Sequence, residues 1–277
     1  MGSGDCPYEL IEPTSTRETP VVVEVPHAGL MVPKDILAQI EVPQSSFARD
    51  ADLFVDELYA DATLEGATLL RARFSRYVID LNRAEDDVDA ESVDGAPAEG
   101  RAPRGVIWRL SGDGARVFAN PLPRAELERR LDAYHRPYHA ALRGILARKV
   151  ERFGVAVLLA AHSMPSHARW ASGHVGPARA DVVPGTRGRT TADGRFIDAV
   201  EELAGHEGWS VRHDDPYRGG YSTMHYGRPH LGTHAVQVEL ARRLYMDEDK
   251  LTLHTRSDGV RQWCRGLVAK LGQLALR

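Results

Sequence analysis

Cysteine is scarce: Cys6 and Cys264 are the only two in 277 residues, with no CxxC or Cys/His spacing. That argues against both a disulfide framework and a thiolate zinc site, and reduced thiols point to the cytoplasm. No stretch approaches the roughly 20 apolar residues of a membrane span, and Met1-Gly-Ser-Gly-Asp-Cys6 has neither a basic nor an apolar leader pattern. Positive charge is not in excess either. With 35 Lys and Arg against 39 Asp and Glu the net charge is -4, which gives no broad electrostatic reason to bind nucleic acid or an anionic membrane. No GxSxG elbow occurs and Ser163 has no evident base, which disfavours a serine hydrolase. Internal repeats and clean linkers are missing as well. What is present is an ordinary globular composition, 43% hydrophobic and 27% charged, read as a single catalytic domain over 1–277.

Apolar, β-branched runs predict strands over 20–25, 67–72, 77–81, 155–161, 209–212 and 234–240, and helical periodicity covers 46–64, 124–152, 193–206 and 257–275. Alternating strands and helices predict an α/β fold, a three-layer sandwich whose mixed, mostly parallel sheet is covered on both faces. Segment 84–123 breaks the pattern. It is acidic at first and then rich in Gly, Pro and Ala, with an apolar island at Val106-Ile107-Trp108. Loops this long are usually functional or disordered, so it reads as an excursion over the active-site face, with a hairpin turn at Gly112-Asp113-Gly114.

Two of the apolar runs end alike. Val21-Val-Val-Glu-Val-Pro-His27 and Val155-Ala-Val-Leu-Leu-Ala-Ala-His162 each deliver a histidine to the rim of a sheet, where α/β enzymes place ligands and substrate contacts. Zinc hydrolases use about three protein ligands and keep a position open for water. The third comes from Asp50-Ala-Asp52-Leu-Phe-Val-Asp56, with Asp52 preferred and Asp56 behind it, although both acids would also suit a helix start. Glu239 interrupts an apolar strand, and a buried carboxylate needs a partner or a cavity, so it is either a general base or half of an ion pair. Asn82-Arg83 suits a carboxylate, the guanidinium forming a bidentate fork, unless the arginine instead pairs with one of Glu85, Asp86 or Asp87. Arg76, Arg187, Tyr221 and Arg228, the last three in Gly-rich loops, are further substrate candidates. His135 and His139 share a helical face, but Pro137 between them points to a kinked packing helix.

In their order, Val-Pro-His27-Ala-Gly, Asp50-Ala-Asp52, Ser-Arg76-Tyr-Val-Ile-Asp-Leu-Asn82-Arg83, Arg136-Pro-Tyr-His, Ala-His162-Ser, Gly185-Thr, Gly219-Gly-Tyr-Ser-Thr, His225-Tyr-Gly-Arg228-Pro and His234-Ala-Val-Gln-Val-Glu239 resemble the N-formylglutamate amidohydrolase family over roughly residues 20 to 245. That family in turn resembles zinc carboxypeptidases and aspartoacylases. The resemblance implies a phosphorylase/hydrolase-like α/β/α sandwich, one Zn²⁺ or another divalent ion at His27 and His162, Asn82 and Arg83 on the substrate, and Glu239 as base. One departure stands out: carboxypeptidases use His-x-x-Glu, and here the fourth position is Leu30, so the acidic ligand must come from elsewhere, with Asp52 preferred. The expected activity is hydrolysis of a small N-acyl amino acid, N-formyl-L-glutamate foremost. Another N-acyl amino acid, a terminal peptide bond, or a noncatalytic carboxylate-binding relative are the alternatives.

Overall fold

The structure, a computed structural model, describes residues 6–96, 104–169 and 175–277. Ten strands occur among them: β1 (Tyr8–Ile11), β2 (Val21–Val25), β3 (Thr68–Ala72), β4 (Ala156–Met164), β5 (His167–Arg169), β6 (Val175–Ala178), β7 (Val182–Gly185), β8 (Thr233–Ala241), β9 (Met246–Asp247) and β10 (Thr252–Leu253). Six form one sheet in the order β1-β3-β2-β4-β8-β7; the rest pair as two-stranded ribbons. The inner four are mutually parallel, and both edge strands, β1 and β7, run antiparallel. A mixed, mostly parallel sheet is therefore what the alternating pattern produces.

The helices are α1 (Lys34–Leu37), α2 (Gln44–Asp50), α3 (Val55–Leu58), α4 (Arg124–Arg130), α5 (Arg136–Phe153), α6 (Gly194–His206), α7 (Tyr221–Tyr226) and α8 (Ser257–Ala275). β2, VVVEV, and β4, AVLLAAHSM, are buried along their whole length because helices cover both faces. Val21, Val23, Leu159 and Val238 point into a core with Phe196 of α6 and Leu267 of α8. Their neighbours Val22, Leu158 and Ala235 point the other way, onto Leu142 and Ile145 of α5. Toward the C-terminal ends of the strands this second face turns polar, since Glu24, His162, Gln237 and Glu239 follow those apolar residues at alternate positions. Helix α5 stops at Gly154 in the left-handed region (φ 75), where Gly154 N–H donates to Val150 O (2.8 Å), and the chain turns directly into β4.

Several elements differ from expectation. The periodic stretch 46–64 is broken: after α2 the chain turns extended at Ala51 and left-handed at Phe54 (φ 65) before α3. The break has a local cause, for Asp52 N–H donates to His27 O (3.0 Å) and the Arg242 side chain donates to the carbonyls of Arg49 and Ala51. Segment 77–81 is a turn rather than a strand. Its apolar residues Tyr77, Val78, Ile79 and Leu81 do enter the α5-side core, but Val78 N–H bonds locally to Ser75 O (2.9 Å). Of 209–212 only an isolated bridge between Val211 and Val182 forms. The long helical pattern 124–152 contains a π-turn, Leu131–His135, just before Pro137, where the missing proline N–H requires the hydrogen-bond ladder to be reset. In the excursion, Val106, Ile107 and Trp108 are buried, and Ser111 N–H pairs with Ala115 O (2.8 Å) around the expected turn; residues 97–103 lie outside the described residues.

Candidate active site

His162 of β4 and Glu239 of β8 are register partners, so their side chains rise from the same face of adjacent strands. His27 follows the end of β2, and Asp52 fills the break between α2 and α3. Asp52 Oδ2 lies 2.9 Å from His162 Nδ1 and 3.5 Å from His27 Nδ1. One nitrogen or oxygen from each of His27, Asp52 and His162 falls within 4.8 Å of the others, and all three residues are buried. Asp56 is elsewhere: it is partly exposed and 3.5 Å from Arg71.

These residues fit a divalent metal. His27 Nδ1 is buried without a hydrogen-bond partner, which is costly unless an electrophile occupies that direction. Its other nitrogen, Nε2, sits 2.8 Å from Asp80 Oδ1, the carboxylate–imidazole pairing that orients metal-binding histidines. Two imidazoles and a carboxylate form a donor set suited to zinc. Burial opposes ionisation of Asp52, but its hydrogen bond with His162 and the nearby His27 ring outweigh burial and hold it anionic. Glu239 is different: burial dominates and pushes its carboxyl up to about 7, despite the pull of His162. A carboxylate poised there can exchange protons near neutrality.

Asp80 is the hub that sequence patterning missed. Its Oδ1 also accepts Asn82 N–H (2.9 Å), while Oδ2 accepts Arg76 Nε (3.1 Å), Arg76 Nη2 (2.8 Å) and Trp108 Nε1 (2.8 Å). Burial disfavours its charge, yet Arg76 and His27 keep it well below the ordinary carboxylate range. From behind, helix α5 and the π-turn before it grip the same segment: His139 Nε2 is 2.8 Å from Leu81 O and His135 Nε2 is 2.9 Å from Arg83 O. The two histidines are thus packing groups, in keeping with the proline between them. Asn82 Nδ2 reaches His162 Nε2 (3.2 Å), its Oδ1 accepts Ser222 N–H (3.0 Å), and Ser222 Oγ donates to buried Glu24 (2.8 Å). Gln237 ties this system to Glu239, donating to Oε1 (2.9 Å) and accepting Gly220 N–H (2.8 Å).

His27, Asp52, His162, Glu239, Asn82, Arg83 and Arg76 share the wall of one cavity of about 400 Å³. Arg76 is engaged with Asp80 and supports the wall, whereas Arg83 is half-exposed beside Asn82, its Nη1 3.7 Å from Asp87 Oδ2. Arg187, Tyr221 and Arg228 are outside this wall. Arg187 donates to Gly219 O (3.1 Å), Tyr221 packs its ring on His139 and His225, and Arg228 N–H closes a bridge to Thr233 O (2.7 Å). The cavity instead includes Trp108, Arg179, Tyr217, Arg218 and Arg242. Arg242 carried a usable signal, a cation directly after an apolar strand, and Trp108 another, an aromatic in a polar excursion. The 214–220 loop carried none beyond its glycines.

Fold and site together define an α/β enzyme of the amidohydrolase class. The model of the N-formylglutamate amidohydrolase family matches residues 19–246, and the chain belongs to that family. It is 33% identical over 233 residues to the N-formylglutamate deformylase of Pseudomonas putida, covering 83% of this chain and 82% of that protein. To the N-formylglutamate deformylase of Pseudomonas aeruginosa it is 34% identical over 233 residues, 83% of each. The crystal structure of N-formylglutamate amidohydrolase from Ralstonia eutropha JMP134 has a TM-score of 0.87 at 32% identity, with 98% of both chains covered. The expected sheet architecture and family are therefore both met.

Proposed function

We propose that this chain hydrolyses N-formyl-L-glutamate to formate and L-glutamate, with one divalent metal, preferably zinc, held by His27, Asp52 and His162. The observation that carries this is the convergence on one cavity of that buried cluster, Glu239 and the Asn82-Arg83 pair. A bound zinc ion supplies Lewis acidity toward a carbonyl oxygen and acidifies water. Asp80 keeps the His27 ring oriented, with its Nδ1 toward the cluster. Glu239, held by Gln237, accepts the proton of the attacking water at its free carboxylate oxygen and returns it to the leaving amine, so the C–N bond breaks with a neutral amine departing. Arg83 and Asn82 grip the α-carboxylate, Arg83 as a bidentate fork. Among the described residues no helix is long and apolar enough to cross a membrane. A cytoplasmic location, supported by the free thiols of Cys6 and Cys264, and a single catalytic domain complete the proposal.

Metal analysis of the purified protein, combined with turnover of N-formyl-L-glutamate and of the same molecule amidated at its α-carboxylate, tests it. About one equivalent of divalent metal and strong preference for the free acid are expected. Equal turnover of acid and amide would remove the role of the Asn82-Arg83 clamp, and full activity in metal-free protein would remove the metal.

A further inference from the structure

An N-acyl glutamate carries two carboxylates, and Asn82-Arg83 accounts for one. Most other arginines of the cavity wall are already engaged. Arg76 is bound to Asp80, Arg104 Nη2 donates to Ser111 O (2.7 Å), Arg242 donates to Arg49 O (2.7 Å) and Ala51 O (2.5 Å), and Arg49 lies 3.7 Å from Asp113, the same separation as Arg83 from Asp87. Arg218 differs. Its guanidinium has no hydrogen bond or ion pair among the described residues, yet it lines the cavity.

Its backbone, by contrast, is held firmly. Arg218 O accepts Arg187 N–H (2.9 Å), and Arg187 Nη1 donates to the neighbouring Gly219 O (3.1 Å). Asp214 in turn anchors the far loop, accepting the N–H groups of Thr186 (2.7 Å) and Arg187 (3.0 Å). The two loops touch so closely that a Cβ on Gly185 would sit 2.7 Å from Gly219 N and 2.8 Å from Tyr217 O. A fixed backbone bearing an uncommitted, exposed cation leaves only the ordering of that one side chain to be offset when an anion binds. A second cation is adjacent: the Arg179 guanidinium lies 5.3 Å from the centre of the Tyr217 ring and has one backbone partner, Pro165 O (3.0 Å).

We infer that Arg218, backed by Arg179 on the Tyr217 ring, is the subsite for the second carboxylate of the substrate, so that the enzyme selects dicarboxylic N-acyl amino acids over their side-chain amides. This rests on the hydrolase function proposed above. Arg187, lying outside the cavity wall, acts here as the clasp that holds Arg218 in position.

The experiment compares kcat/KM for N-formyl-L-glutamate and N-formyl-L-glutamine in the metal-loaded parent, Arg218→Ala, Arg218→Lys and Arg179→Ala, with inhibition by L-glutamate and L-glutamine measured alongside. The parent should favour the acid, and Arg218→Ala should collapse that preference by at least about tenfold, the scale of a lost charge-assisted hydrogen bond, chiefly through KM. Inhibition by L-glutamate should weaken in proportion, with Arg218→Lys intermediate and Arg179→Ala shifted in the same direction. An equal loss on both substrates in Arg218→Ala, or a parent that turns over acid and amide alike, overturns the subsite while leaving the hydrolase function standing. If the parent hydrolyses neither compound but remains folded and metal-loaded, the proposed function itself fails and the subsite falls with it.

Discussion

Glu239 shows how placement decides the chemistry of a residue. A glutamate in a parallel strand is ordinarily a liability, yet here the strand ends at a cavity and Gln237 holds one carboxylate oxygen while the other remains available. Glu239→Gln preserves the shape and removes the ability to accept a proton, so kcat should fall by at least about 10²-fold while bound metal is retained. Near-normal turnover would return Glu239 to a structural role. The acid side of the parent's pH profile has a definite sign: the base works deprotonated, so activity falls as pH drops through its pKa. Burial sets that pKa at about 7 without metal, and a nearby cation pulls it lower. At this scale the sequence was most legible where a polar residue interrupts an apolar run, which is why His27, His162 and Glu239 could be read. Arg187, Tyr221 and Arg228 lie in loops whose composition does not encode the direction of a side chain, so their placement outside the wall was not readable.

Helix α7 and the loop before it show what an element can contribute without supplying a reacting group. A Cβ on Gly220 would lie 2.3 to 2.5 Å from three side-chain atoms of Asn82. Gly220 has φ -83, so its substitution is a steric matter with no backbone penalty. Gly220→Ala should therefore push the Asn82 amide away from His162 and lower kcat/KM by about tenfold or more, with secondary structure and metal content unchanged. Activity equal to the parent's would mean that the loop yields and that close packing on Asn82 has no functional role. Elements were legible where periodicity and burial agree, as in β2, β4, β8, α5, α6 and α8. Segment 77–81 was misread because its apolar residues serve as anchors of a turn, and alternation alone does not distinguish an anchor from a ladder. The edge strands β1 and β7 are only four residues each, too short for their pattern to emerge.

At the scale of the whole molecule, the three candidate ligands come from segments far apart in sequence and converge only in the folded chain. Metal binding therefore favours the native state, by about 2.7 kcal/mol when free metal is 100 times Kd. For a chain of 277 residues that corresponds to a rise in Tm of roughly 5 °C. Zinc added to metal-free parent should produce such a shift, chelation should reverse it, Asp52→Asn should abolish it, and Asp56→Asn should leave it intact. A shift lost in Asp56→Asn and kept in Asp52→Asn would transfer the ligand role to the other carboxylate. No response to any divalent ion would end the metal assignment.

The pairing of His162 with Glu239 has a consequence for how the chain finds its fold. A strand buried on both sides offers apolar groups to either core, so Val, Leu and Ala in β4 and β8 would tolerate a one-residue slip that turns every side chain over. The polar residues would not. Turned over, Glu239 and Gln237 would enter the apolar layer beneath α6 and α8, where an unpaired carboxylate costs several kcal/mol. The groups placed at the cavity for chemistry thus also act as an alignment mark during assembly, penalising the misthreaded sheet that the hydrophobic residues alone would accept.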